Sequence, residues 1–445
     1  MATAPAPKRA FGFWICLALV IGNMIGSGFF LLPAQLAPFG WNGVAGWLFT
    51  TSGALCLAIA FGSLARAFPC AGGPYAFSRQ AFGPFAGFVV AWSYWVSMWI
   101  GNVAIATGVV APLSTVFPGI TPWSAAITLA LVWSLTAINC FGAKTVGRIQ
   151  LVTTILKFLP LAAVVLLAAL VLGQDGGEAV PPLRASELRF SGAAGIAAAA
   201  TLTLWSFLGL ESATVPAERV QDPRRNIPRA TLIGVAVTGA VYTFACSAVA
   251  LMLPVEQAAA SGAPMADFIG LHWGGPAATI IALFAALAAF GTLNGWVLMQ
   301  GELPWAMAKD GVFPAWLAKL SRFGTPARAH IVASLLLTAV LALNYARTMT
   351  DLFGFLIHLA PAASLVAYLV CWLAAVRLGA GRKAVPVFLL AAMFSLWALW
   401  GAGREAALWG GALLASGVPL YFLMPRRGGS SPAGANPPAP PGSAA

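Results

Sequence analysis

Gly22-Asn23-Met24-Ile25-Gly26-Ser27-Gly28 lies in the middle of the first long apolar run of the chain, residues 11–39. A run of that length can cross the roughly 30 Å hydrocarbon layer of a bilayer as a helix. Three glycines in seven residues, however, lower helix propensity and let the backbone unwind. Unwinding at that depth frees N–H and C=O groups that bulk water cannot reach, so protein, trapped water or a bound solute must satisfy them. A second apolar run, 192–216, carries a matching interruption, Trp205-Ser206-Phe207-Leu208-Gly209-Leu210-Glu211. Taken alone, the first stretch reads equally well as a small-residue helix-packing patch. The matching break in the sixth run favours a paired site, at the spacing expected if five spans are repeated with inverted topology.

The rest of the chain fits a membrane reading. Of 445 residues, 60% are hydrophobic and 8% charged, where a soluble domain carries about a quarter charged. Turn signals divide the chain into about twelve apolar runs: 11–39, 42–66, 84–113, 122–141, 146–172, 192–216, 228–253, 274–303, 328–345, 350–376, 384–401 and 404–424. The net charge of +12 sits in short connections with no basic stripe between aromatics, which excludes nucleic acid as a partner. With the N-terminus in the cytoplasm, the inside loops hold Arg66, Arg79, Lys144, Arg148, Arg219, Arg224, Arg225, Arg229 and Lys309 among others, and the outside loops keep Arg184, Arg189, Arg347 and Arg404. That asymmetry follows the positive-inside rule and supports an even number of spans. The expected organisation is a short cytoplasmic N-terminus (1–10), one membrane domain (11–424), and a cytoplasmic tail (425–445) whose Gly, Ser, Pro and Ala cannot build a core. The six cysteines are scattered without a CxxC and read as free thiols.

Ionisable residues inside such runs are costly and mark function by default. Glu211 lies within the second break; a buried carboxylate there can couple proton binding to conformational change, and a structural acid held by Tyr or Ser is the plainer alternative. Lys157, deep in the fifth run, can place an ammonium among backbone carbonyls or snorkel to the interface. His358 reads more readily as a satisfied neutral imidazole than as a proton relay, while His272 and His330 fall near loop edges. Trp205 occupies the second break, and Trp296 follows Gly295, which lets its ring turn toward a cavity where a cation could lie on its face. Half-helix N-termini suit a carboxylate and half-helix C-termini an ammonium, so a zwitterion fits the pair of breaks. Three dispersed histidines and no paired intramembrane carboxylates leave nothing for hydrolytic or metal chemistry, so no catalytic residue, cofactor or metal is assigned.

These residues resemble the amino acid–polyamine–organocation superfamily, and within it the basic amino acid/polyamine antiporters. The likeness runs over nearly all of Phe11–Met424 and is carried by Gly22-Asn23, Ile25-Gly26-Ser27-Gly28, Leu31-Leu32-Pro33-Ala34, Gly72-Gly73-Pro74-Tyr75-Ala76, Trp99-Ile100-Gly101-Asn102, Leu204-Trp205-Ser206-Phe207, Glu211-Ser212-Ala213, Gly295-Trp296 and Asp310-Gly311. The resemblance implies an all-α, LeuT-like fold of about twelve transmembrane helices: a five-plus-five inverted repeat (11–172 and 192–376) with helices 1 and 6 broken, plus two C-terminal helices (384–424). It also implies alternating access, a bacterial inner membrane location, a lipid bilayer as surroundings and, in many members, a homodimer.

Carried over residue by residue, the resemblance gives Ser27 and Gly28 the substrate carboxylate, and the carbonyls of Met24, Trp205 and Leu208 its α-ammonium. Ser97, Met98 and Asn102 would meet the side-chain head group, with Trp296 stacked beneath it. Glu211, Tyr94 and Tyr368 would form a proton-responsive gate. Two features depart from the family's arginine exchangers. Ser97-Met98 stands for a smaller Ala-Cys pair and Ala360 for a serine, which alters the head-group pocket; Lys157 stands where sodium-independent, proton-coupled members place a lysine in lieu of sodium. The implied activity is sodium-independent exchange of a cationic amino acid, arginine, for its decarboxylated amine, agmatine. Proton symport of small neutral amino acids through Lys157 and Glu211 is the alternative within the class. A channel or a non-transporting sensor is the alternative outside it, although a channel needs a continuous polar path that so few intramembrane polar residues cannot line.

Overall fold

The computed structural model describes residues 9–174, 177–192, 195–343, 364–381, 384–401 and 403–423. His358, Ala360 and the tail lie outside them. The described residues are mostly helical, apart from turns, irregular stretches such as 181–184 and one isolated β-bridge, and the protein is an all-α membrane protein.

The first apolar run folds as α1 (Phe13–Met24) and α2 (Ser27–Leu36), with Ile25 and Gly26 extended between them. There follow α3 (Trp41–Ala67), α4 (Pro74–Phe82), α5 (Pro84–Val116), α6 (Ser124–Phe141), α7 (Ala143–Gln174) and α8 (Ile196–Leu204). Then come α9 (Pro223–Met252), α10 (Val255–Ala260), α11 (Pro264–Trp273), α12 (Gly275–Lys309), α13 (Ala327–Leu343), α14 (Ser364–Arg377), α15 (Val385–Gly401) and α16 (Gly403–Leu423). Among the described residues, seven helical spans are long and apolar enough to cross a bilayer unaided, and five further apolar helices are shorter. The sixth run differs most from expectation. Only Ile196–Leu204 is α-helical; a 3-10 turn at Trp205–Phe207 and a chain of turns follow, because Leu208 is extended and Gly209 takes φ +102°. The short helices α4, α10 and α11 fall in stretches read as loops.

Why this chain stays in lipid is visible on α7. Ile155, Leu159 and Leu166 point outward, each more than half exposed, while Gln150, Thr154 and Lys157 on the opposite face are buried. That inversion of the soluble pattern suits a hydrocarbon solvent, which rewards apolar groups outside and demands that polar groups be paired inside. Inside, α5 packs along α12 and α3 along α9, and α1 is held between α7, α9 and α12. An aromatic cluster joins the two breaks: Tyr242 of α9 lies 5.3 Å from Phe29, 5.0 Å from Trp47 and 5.6 Å from Phe207 between ring centroids.

Candidate functional site

Each break leaves helix-terminal backbone groups to be accounted for. At the C-terminal end of α1 the account is nearly complete. Lys157 Nζ donates to the carbonyls of Gly22 (2.6 Å) and Ile25 (2.7 Å) and to Thr292 Oγ1 (2.8 Å), so all three ammonium protons are used. Trp296 Nε1 donates to the Asn23 carbonyl (3.1 Å), and the Tyr242 hydroxyl lies 2.6 Å from the Met24 carbonyl. The Asn23 side chain bridges onward, its Nδ2 donating to Ser212 Oγ (2.8 Å) and its Oδ1 accepting from Gln150 Nε2 (3.3 Å). Lys157 is 1% exposed, which removes the snorkelling alternative. A cation at this end also faces the negative pole of the α1 dipole.

The N-terminal end of α2 is different. Its N-cap is Gly26, which supplies no side-chain cap, so the first N–H groups, those of Ser27 and Gly28 included, have no intrahelical acceptor. Donors converging at the positive end of a helix dipole form an anion site, and a carboxylate is one such anion. Across from it, α8 and its 3-10 turn end in the carbonyls of Trp205–Leu208, where the Tyr242 hydroxyl lies 3.2 Å from the Ser206 carbonyl.

Glu211 follows directly. It is fully buried, and the Tyr94 and Tyr368 hydroxyls each donate to one of its carboxylate oxygens. Tyr368 is in turn 3.5 Å from the Gly209 N–H. The three residues expected to form a gate thus make one hydrogen-bonded unit bridging the second break, α5 and α14.

Between the breaks lies a cavity of about 30 Å³ lined on the first break by Met24, Gly26 and Gly28, on the second by Trp205 and Leu208, and on α5, α12 and α14 by Ser97, Met98, Trp296 and Ser364. Its volume matches the share of one water in the liquid, roughly 30 Å³. The cavity must therefore widen before it can hold an amino acid. Trp205 covers the α2 terminus so closely that a Cβ on Gly28 would sit 2.6 Å from its ring, so a larger residue there displaces the indole.

Of the residues assigned to substrate, Met24, Gly28, Ser97, Met98, Trp205, Leu208 and Trp296 line the cavity. Ser27 opens α2 beside it. Asn102 does not line it: its Nδ2 donates to Gln300 Oε1 (2.7 Å), although its buried Oδ1 has no partner. Sequence reasoning missed Asn23, Thr292 and Ser364. Asn23 sits within the Gly22–Gly28 motif, which was the available signal, whereas Thr292 lies three residues before Gly295 and carried none. Ser364 Oγ lies 3.0 Å from Ser97 Oγ; the Ser97 proton goes to the Tyr94 carbonyl (2.7 Å), so Ser364 is the donor of that pair.

Below Glu211, on the side of the α1 N-terminus, lies a charged layer. Phe11 pairs with Val220 in a parallel bridge, Phe11 N–H donating to the Arg219 carbonyl and Gln221 N–H to the Phe11 carbonyl. Arg219, expected in a solvated loop, is buried and donates to Glu302 Oε1 at 2.7 Å and to the Gly324 carbonyl at 3.1 Å. A charge taken out of water needs such a partner, and α12 supplies it. His330, expected at a loop edge, does open α13 but is wholly buried against Gly301. Nearer solvent, Asp310 accepts from the Tyr75 hydroxyl (2.9 Å) and Arg79 (2.6 Å), and Lys309 pairs with Glu218. Cys70 is exposed by surface area, yet the protein crowded around its thiol, then the negative charges of Asp310 and Glu218, push it up to about 11.

Comparison with known proteins agrees with this geometry. The amino acid permease family model matches residues 11–422. A putative arginine/ornithine antiporter of Bacillus subtilis (strain 168) is 32% identical, over 81% of this chain and 83% of its own length. The cadaverine/lysine antiporter of Escherichia coli (strain K12) is also 32% identical, over 81% and 82%. A putrescine transporter of Haemophilus influenzae is 28% identical, over 91% and 95%. A family match spanning almost the whole chain, on a helical membrane fold broken twice around one small cavity, identifies the chain as a member of the amino acid permease family within the amino acid–polyamine–organocation superfamily.

Proposed function

We propose that this antiporter exchanges a cationic amino acid for a related amine without sodium, with arginine and agmatine as the leading pair. The observation that carries the proposal is the cavity itself. The uncapped N–H groups of α2 suit a carboxylate, the carbonyls ending at Leu208 suit an α-ammonium, and the Trp296 ring lies on the wall where a guanidinium can rest. The relatives support the class of substrate: one is named for arginine and ornithine, another for lysine and cadaverine, a third for putrescine. Lys157 supports sodium independence, since its ammonium already occupies the oxygen cluster of Gly22, Ile25 and Thr292.

The proposal includes the architecture expected from the sequence: two inverted repeats over 11–172 and 192–376, two further helices over 384–424, both termini in the cytoplasm of a bacterial inner membrane, and a homodimer. Met24, Ser27, Gly28, Trp205 and Leu208 bind the backbone of the substrate; Ser97, Met98, Asn102 and Trp296 bind its head group; Tyr94, Glu211 and Tyr368 gate it. Asn102 takes its part only after its amide leaves Gln300.

Proteoliposomes loaded with agmatine should take up labelled arginine faster than empty ones. Equal slow uptake in both refutes exchange. Ornithine, lysine, cadaverine and putrescine as internal counter-substrates rank the competing pairs. A second reading, proton symport of small neutral amino acids, is favoured by Lys157 and Glu211 both being buried beside the breaks. Uptake into unloaded vesicles driven by an imposed pH gradient distinguishes it. Saturable counterflow in the first assay excludes a channel or a sensor.

A further inference from the structure

A second cavity, of about 500 Å³, lies where α3 ends and α9 begins, beside Gly379–Gly381 in the turn that follows α14. Its size falls within the roughly 300–1,000 Å³ of small-molecule sites, and it shares no lining residue with the substrate cavity. The wall changes character along its length. Ala58 and Ile59 line it from within α3, whereas Arg66 stands in the last turn, about 11 Å further along the axis at 1.5 Å per residue. On α9 the same order runs in reverse, with Arg229 toward the helix start and Leu232 one turn deeper. The helices touch tightly between these zones, where a Cβ on Gly62 would lie 3.3 Å from Pro228. Gly381, at φ +91°, turns bare backbone over the mouth.

No acidic side chain lines this cavity, and among the described residues neither Arg66 nor Arg229 has an ion-pair partner. Leu232 is 42% exposed, so the apolar end opens to the lipid-facing surface. Two guanidiniums at the interface above an apolar slot match one kind of molecule, in which a phosphate adjoins acyl chains. Guanidinium grips phosphate oxygens with paired N–H donors, and basic pockets between membrane helices take anionic headgroups.

We propose that this cavity binds the phosphate-bearing headgroup of an anionic phospholipid, with Arg66 and Arg229 on the phosphate and an acyl chain along Ala58, Ile59 and Leu232. The lipid wedges between α3, α9 and residues Gly379–Gly381. Charge complementarity selects a net-negative lipid, because the two arginines have no other counter-ion in the cavity.

The test is native mass spectrometry of the purified full chain with an equimolar mixture of phosphatidylglycerol and phosphatidylcholine. Retention of phosphatidylglycerol should exceed that of phosphatidylcholine by on the order of tenfold. The Arg66→Gln/Arg229→Gln variant should bring the two near parity, while Arg148→Gln/Arg224→Gln, away from the cavity, keeps the preference. Ile59→Trp, which fills the apolar slot and leaves the charges intact, should also lower lipid retention. Equal retention of both lipids by the native chain overturns the proposal. Displacement of the lipid by inorganic phosphate, with no effect of Ile59→Trp, overturns the lipid occupant in favour of a free-anion site.

Discussion

Replacing Lys157 with methionine keeps most of the side-chain volume and removes the charge, which isolates what the ammonium does. In the native protein it donates to Gly22, Ile25 and Thr292. Thr292 Oγ1 lies 2.8 Å from each of the two carbonyls but has one proton, so after the substitution one carbonyl keeps a donor and the other loses its own. An unpaired buried acceptor costs about 1–3 kcal/mol. Against this, the variant no longer buries an ammonium, a penalty of several kcal/mol in real proteins. The two terms nearly cancel, so the unfolding midpoint in detergent should change little. Thr292→Val added to the first change orphans both carbonyls, and its effect should exceed the sum of the single changes. Function should respond more than stability, because the end of α1 at the first break loses the cation that holds it to α7 and α12. Exchange in proteoliposomes should fall by about tenfold, a barrier increase of about 1.4 kcal/mol. Lys157→Ala should go further and make the rate sensitive to replacement of choline by sodium, since three oxygens remain around the emptied point and oxygen donors suit hard cations. Native exchange rates in the methionine variant, with no sodium effect in the alanine variant, would refute the reasoning.

Glu211→Gln retains one acceptor oxygen where Tyr94 and Tyr368 need two, so it should slow exchange and flatten its dependence on pH; an unchanged profile removes Glu211 from proton sensing. Trp296→Ala should weaken arginine binding, by about 0.5–2 kcal/mol for a lost cation–π contact, more than binding of a neutral amino acid. Calorimetric titrations giving equal losses for both ligands would count against stacking. With its thiol pushed up to about 11, Cys70 should react with maleimide at pH 8 about a hundredfold more slowly than an ordinary thiol, the rate climbing as pH rises toward 11. Asp310→Asn, which removes a negative neighbour, should shift that curve to lower pH, and a labelling rate already level below pH 9 would contradict the assignment.

How much of this was legible in the sequence depends on the kind of interaction. Hydropathy exposes what faces lipid, so nearly every apolar run ends within a few residues of a helix end, as 84–113 does in Pro84–Val116 and 42–66 in Trp41–Ala67. Glycine clusters mark the breaks, and at Gly22, Gly26 and Gly28 small size matters as well as backbone freedom, since a Cβ on any of them would meet a neighbouring side chain. Partner choice is not local. Nothing near Arg219 announces Glu302, 83 positions away, and a loop arginine reads as solvated until the fold brings an α12 carboxylate to it. Likewise Asn102 carries the residue type for a head-group contact, but Gln300, one turn beyond Trp296 on α12, competes for its amide. The amphipathic α4 was hidden by its length, since nine residues cannot span and their mixed polarity resembles a loop.

The contacts of α1 divide into two sets, and the division bears on how the small cavity can open. One set joins the first break to the second. A single Tyr242 hydroxyl lies within reach of both the Met24 and the Ser206 carbonyls, Asn23 donates to Ser212, and the Phe11–Val220 bridge ties the start of α1 to the chain beyond the second break. These are short, stiff links through backbone atoms or side chains with few rotatable bonds. The other set joins α1 to the α7–α12 side, through the four-carbon stem of Lys157, Gln150 Nε2 at 3.3–3.4 Å, the Trp296 indole and two short threonine hydroxyls, Thr154 on the Ala18 carbonyl at 3.1 Å and Thr292 within 2.8 Å of the Gly22 and Ile25 carbonyls. The long side chains can follow a displacement of an ångström or two by changing rotamer, and the two threonine contacts can break singly, whereas a backbone bridge can do neither without the chain itself parting. Motion of both breaks together against α7 and α12 therefore disturbs side-chain contacts alone, whereas parting the breaks from each other also breaks the backbone bridge of Phe11 and Val220. In that motion the α2 N–H groups and the carbonyls ending at Leu208, which a zwitterion would span, keep their spacing, and the space under Trp205 and beside Trp296 is what changes.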